Sequence, residues 1–204
     1  MNAHRSDPLA RVEPTPIDSG AVENLRYIRS TIEAAHTFTT VPGKGCIAMG
    51  ITALAAVGLE RVPQLGAYWL QIWLGAAIVA CAIALAFMQR KARAQGLSLR
   101  RSVARRFFLT LTPAFLVGGI LTAALAGDVE RNVITGVWLL LCGSGIAACG
   151  LFAIPAVLFA GIGFMAFGAA ALWLPAAWSP EILALGFGGI HIALGIIITR
   201  NHGG

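Results

Sequence analysis

Residues 133–178 carry no charge at all. A helix needs about 20 apolar residues to cross the hydrocarbon core of a bilayer. That run is too long for one crossing and suits two crossings joined by a tight turn. Gly150 and Pro155 punctuate it: glycine readily ends a helix, and proline fits the first turn of the next.

The same apolar excess runs through the chain. Of 204 residues, 57% are hydrophobic and only 12% charged, against about 25% charged in soluble domains. The mean hydropathy is +0.78. Such a chain has too little polar surface to face water on every side, and lipid is the solvent that suits the remainder. Hydropathy predicts six spans, over residues 45–59, 67–88, 107–126, 133–151, 152–174 and 181–199. The expected fold is an all-α integral membrane bundle of six transmembrane helices, occupying residues 44–199, preceded by an amphipathic N-terminal helix. Residues 200–204 would form a short tail.

Residues 1–19 hold His4, Arg5, Asp7, Arg11, Glu13 and Asp18 with three prolines and no apolar run, so neither a signal peptide nor a packed segment is expected there. Residues 20–37 differ. Ser19 suits an N-cap and Glu23 the first helical turn. Val22, Leu25, Ile28, Ile32 and Ala35 then recur at steps of three and four, with Arg26, Arg29, Ser30 and Glu33 elsewhere on the wheel. This stripe predicts an interfacial helix on the bilayer surface; docking on the protein's own face or on a partner would use the same stripe.

The formal charge of +6 does not point to nucleic acid. The bases gather beside the spans, where a positive-inside bias explains them. Residues 89–106 contain Arg90, Lys91, Arg93, Arg100, Arg101, Arg105 and Arg106 and no acid. Placing that loop in the cytoplasm puts both termini there. The three opposite connections hold Arg61 and Arg131 against Glu60, Asp128 and Glu130. On that topology Trp69, Trp73, Trp138, Trp173 and Trp178 all lie toward the outer face, where indole favours the interface. The seven loop bases, with Arg26, Arg29 and Lys44, are the candidate contacts for lipid headgroups.

Ionisable groups inside lipid usually mark function, because lipid makes them costly. Here only His191 falls in the middle of a span. There is no paired carboxylate and no H-E-x-x-H, which argues against a carboxylate proton relay, intramembrane proteolysis and a resident metal. The expectation is a non-enzymatic protein without cofactor. His191 is expected to bond across to a span hydroxyl among Thr110, Thr112, Thr122, Thr135 and Ser144; its alternative role is as a haem ligand. Cys46, Cys81, Cys142 and Cys149 form no C-x-x-C pair and read as apolar filler. The 24 glycines suit close helix packing. Pro113 is expected in the early turns of the third span, where its missing N–H costs little.

The stretch Glu23-Asn24-Leu25-Arg26-Tyr27-Ile28-Arg29, followed by Phe38-Thr39 and Val41-Pro42-Gly43, has a counterpart at the other end in Gly186-Phe187-Gly188-Gly189-Ile190-His191-Ile192, Arg200 and His202-Gly203-Gly204. Together these resemble a family of small bacterial polytopic membrane proteins of about six helices and unknown function. The resemblance covers residues 21 to 204. Members often read V-P-G-W-G at the first motif; Lys44 stands here in place of that tryptophan. The resemblance implies the topology, the N-terminal helix and a bacterial cytoplasmic membrane, and implies no activity.

Three roles fit these observations. The first is a scaffold, accessory subunit or sensor-like partner acting through helix contacts with another membrane protein or a second copy. The second is passage of a small neutral solute, and the third is electron transfer through haem. A cavity lined by His191, Ser144 and the span threonines would favour the second role over the first; a close-packed interior would count against it.

Overall fold

The structure is a computed structural model and describes residues 22–25, 41–94 and 103–201. The chain divides into two units, Met1–Ala35 and His36–Gly204. In the first, residues 22–25 are helical and exposed. The rest of the expected interfacial helix, with Arg26 and Arg29, lies outside the described residues, as do Arg100, Arg101 and the 1–19 tail.

The second unit holds six helices: α1 (Gly43–Glu60), α2 (Trp69–Ala94), α3 (Val103–Leu125), α4 (Arg131–Gly150), α5 (Pro155–Trp173) and α6 (Ala176–Asn201). Each is long and apolar enough to cross a membrane, and no strand occurs among the described residues. The protein therefore has the architecture of a multi-pass integral membrane protein. Its outer surface agrees: Ile78, Ile120 and Phe159 are each about two-thirds or more exposed, at 71%, 66% and 68%. Side chains of that kind on an outer surface need an apolar solvent.

Glycine builds the interior. Gly136 and Gly143 on α4 face Gly168 and Gly161 on the antiparallel α5, and Gly150 meets the backbone of Leu158. A Cβ on Gly143 would stand 2.8 Å from the Gly161 carbonyl oxygen. The pattern recurs between the first and last helices. Gly43 and Gly50 on α1 face Gly195 and Gly188 on α6, with a Cβ on Gly50 only 2.7 Å from the Gly188 oxygen. In each pair the glycines recur every seven residues, so one flat seam runs along each helix. Lipid gives helices no hydrophobic reason to associate, and such seams let dispersion contacts do so.

Two differences from the sequence reading share one cause. Helix α3 starts at Val103 and α2 ends at Ala94, so Arg90, Lys91, Arg93, Arg105 and Arg106 are helical rather than loop residues. Hydropathy locates the edge of the hydrocarbon, while a helix continues past it into the headgroups. Pro113 consequently sits in the interior of α3, not in its first turns. Helix α6 is also not uniform. A 3-10 turn, Ala176–Trp178, leads into an α-helical piece, Ser179–Leu183, then a π-helical stretch, Ala184–Ile190, then His191–Asn201. Gly186, Gly188 and Gly189 fall in the π stretch, where the absence of Cβ atoms eases a wider turn.

Packing is uneven. Helix α2 rests on α1 and α3 rests on α4, but α2 and α3 make no extended contact with each other although consecutive in the chain. A gap between them opens into the bundle.

Candidate functional site

That gap leads to a cavity of about 360 Å³ walled by α1, α2, α3, α4 and α6. Its origin lies in side-chain size. The middle of the α2 face toward it is made of Ala76, Ala77, Ala80, Cys81 and Ala84, with larger side chains at either end, while α3 contributes Phe107, Phe108, Leu111 and Phe115. Alanine at steps of three and four leaves a trough that the facing phenylalanines line without filling. The wall is apolar, with Thr112, Thr135, His191 and three indoles as the polar interruptions.

The π-helical stretch sets the α6 wall. Leu183, Phe187, His191 and Leu194 all line the cavity. His191 is held by aromatic neighbours: its ring meets Phe164 edge-on at 5.2 Å and stacks with Phe187 at 6.3 Å between centroids. Its Nδ1 lies 2.8 Å from the Phe187 carbonyl oxygen. A carbonyl can only accept, so Nδ1 carries the hydrogen, and Nε2 of the neutral ring is left as an acceptor. The expected bond from His191 to a span hydroxyl is not present. Thr110, Thr112 and Thr122 donate to carbonyls four residues back, and Ser144 to Leu141 three residues back. A hydroxyl on a helix reaches its own preceding turn before it reaches a neighbouring helix. Ser144 is exposed and outside the cavity wall. Among the described residues, no three His, Cys, Asp or Glu side chains gather as a metal centre requires.

Behind two indoles of the cavity wall, Trp69 and Trp73, lies an ion pair. Glu60, the last residue of α1, is buried and receives both terminal nitrogens of Arg131, the first residue of α4. The Nη2–Oε2 distance is 2.6 Å. Trp73 Nε1 donates to the same Oε2 at 3.1 Å, and the Arg131 guanidinium lies 4.6 Å from the Trp69 ring centroid. Arg61 pairs with Glu181 at 3.0 Å nearby in sequence but in the open. Sequence reading counted Glu60 and Arg131 as loop charges and missed their pairing. The available signal was position: an acid ending one span and a base opening another at the same side of the bundle.

The tryptophans change role accordingly. Trp173 and Trp178 are exposed, whereas Trp69, Trp73 and Trp138 line the cavity. Trp138 donates to Thr122 Oγ1 at 2.9 Å and packs on Gly118. An indole N–H with a protein acceptor at hand no longer needs the bilayer interface.

Of the candidate headgroup contacts, Lys44, Arg90, Arg93, Arg105 and Arg106 are exposed and Lys91 half-buried. All sit at helix ends opposite the Glu60–Arg131 end. Arg90 also lies over the Phe87 ring at 5.7 Å. The four cysteines are free, three of them buried.

Comparison with family models, curated proteins and solved structures finds no match to this chain.

Proposed function

We propose that this is a multi-pass protein of the bacterial cytoplasmic membrane, both termini cytoplasmic, that binds one lipid-like apolar molecule and acts by binding rather than catalysis. The carrying observation is the cavity: about 360 Å³, apolar, and reached through the gap between α2 and α3. Its volume falls within the roughly 300–1,000 Å³ of small-molecule sites. A pure scaffold would be expected to close its interior, so the cavity favours the neutral-solute role over that one. Orientation rests on the bases at one end and on the resemblance to bacterial polytopic proteins. The seven-residue glycine seams supply a stiff frame, and α2, whose one extended helix contact is with α1 and whose Trp69 and Trp73 anchor its first turns, is the element whose remaining length is free to move when a ligand enters.

Trp69, Trp73 and Trp138 make a built-in reporter. In a Trp173→Phe/Trp178→Phe background, the remaining indole fluorescence comes from the cavity wall. Bromine quenches indole on contact, so a dibrominated long-chain probe should quench it saturably. Ala80→Phe should fill the trough and remove the saturable component. Quenching that rises linearly with probe, equally in both proteins, would show that no discrete site exists.

A further inference from the structure

We propose that Thr135 in the cavity wall is a subsite for the polar end of the ligand, an uncharged oxygen carried by a hydroxyl or by an ester or ketone carbonyl, contacted by the Thr135 hydroxyl. This rests on the cavity reading above and assigns the chemical class of its ligand.

The evidence is an exception to a rule within the bundle. Thr52, Thr110, Thr112, Thr122, Ser144 and Thr199 each donate to a carbonyl three or four residues back in their own helix. Thr135 does not. It lies within α4, is 2% exposed, and its Oγ1 has no hydrogen-bond partner. It also lines the cavity. Buried hydroxyls in folded proteins are nearly always satisfied, so an orphan in a cavity wall points to a partner that arrives from within the cavity.

Arg131 stands one helical turn before Thr135, on the same face of α4. Its two terminal nitrogens are engaged by Glu60, while its buried Nε has no partner. Trp69 and Trp73, which hold this pair, are themselves cavity-wall residues. Arg131 itself lies behind these indoles and outside the wall, so the wall offers one unpartnered hydroxyl, that of Thr135, which can donate or accept. Among the described residues, no Lys, Arg, Asp or Glu lines the cavity, so a carboxylate or phosphate would be buried there without a counterion, whereas an uncharged oxygen can pair with the Thr135 hydroxyl. Arg131 Nε, Asn132 Oδ1, Ser179 Oγ and Glu181 Oε2 are also buried without partners, but these residues lie outside the cavity wall.

Four tail-matched probes test this in the double Trp→Phe background: 9,10-dibromostearyl alcohol, methyl 9,10-dibromostearate, 9,10-dibromostearate and 9,10-dibromooctadecane. The alcohol and the ester should bind about tenfold tighter than the alkane and the carboxylate, the scale of one buried hydrogen bond. Thr135→Val should abolish that advantage and leave alkane binding unchanged, and Thr135→Ser should restore it. The Thr135 hydroxyl has no partner in the protein, so the valine variant should unfold at the wild-type midpoint. Saturable binding of all four probes with equal affinity, or a preference unaffected by Thr135→Val, would overturn the subsite and leave the cavity standing. Tightest binding of the carboxylate would overturn the uncharged-head assignment. Failure of every probe to quench saturably would remove both readings.

Discussion

Glu60 and Arg131 are 71 positions apart and meet in a two-pronged ion pair that ties the end of α1 to the start of α4. The pair is largely shielded from solvent, with side-chain exposures of 6% and 18%. Trp69 and Trp73 cover it from α2. Three helices are therefore joined at one point, behind the cavity wall.

Removing one partner leaves the other charge buried without a counterion. Glu60→Gln and Arg131→Met should each cost about 3–5 kcal/mol, far more than Arg61→Gln in the exposed Arg61–Glu181 pair, where about 0–1 kcal/mol is expected. The buried thiols of Cys46, Cys142 and Cys149 provide the readout, because a thiol-reactive fluorophore labels them as the bundle opens on heating. Equal midpoints for Glu60→Gln and Arg61→Gln would refute this assignment of weight.

The glycine seams make opposite demands at different positions. Gly143→Leu should force α4 and α5 apart, since its Cβ alone would come within 2.8 Å of backbone atoms of α5; a loss of at least about 1–3 kcal/mol follows. Gly119 has nothing within 4 Å of its Cβ position, so Gly119→Ala should be neutral or gain up to about 1 kcal/mol from helix propensity. The same thermal labelling experiment ranks them.

Trp138 Nε1 to Thr122 Oγ1 is a side-chain bond between α4 and α3. Interhelical bonds in membranes average about 0.6 kcal/mol. A double-mutant cycle of Trp138→Phe and Thr122→Val should give a coupling of that order. A coupling of zero would mean the indole is held by packing against Gly118 and Phe115 alone.

The bases at the ends of α1, α2, α3 and α6 set the expected orientation. A fluorescent protein fused after Gly204 should fold and fluoresce, and alkaline phosphatase at the same site should be inactive. The reverse pattern would invert the orientation.

The six helices could be read from sequence because hydrocarbon imposes a length and a polarity on each segment, and both survive in one dimension. The junction at Gly150 and Pro155 is legible for the same reason, since both residues act locally. What was not legible depends on distance. Gly136, Gly143, Gly161 and Gly168 were visible as abundance, but their register requires knowing that α4 and α5 are antiparallel neighbours. Glu60 and Arg131 looked like loop charges because nothing within ten residues of either reveals the other. The cavity was hidden too: alanines such as Ala77 and Ala80 read as good spanning residues whether they meet a partner helix or an open trough. His191 drew attention as the lone ionisable group in a span, yet its bond is to its own helix, and Thr135, an ordinary threonine by sequence, is the cavity-wall residue whose hydroxyl is left over.

The seam between α1 and α6 has a bearing on biogenesis. Of the six spans, the first in order finds its tightest neighbour only when the sixth has been made. Until then Gly43 and Gly50 lack the helix they pack against, so a chain stopped short of α6 should expose this seam.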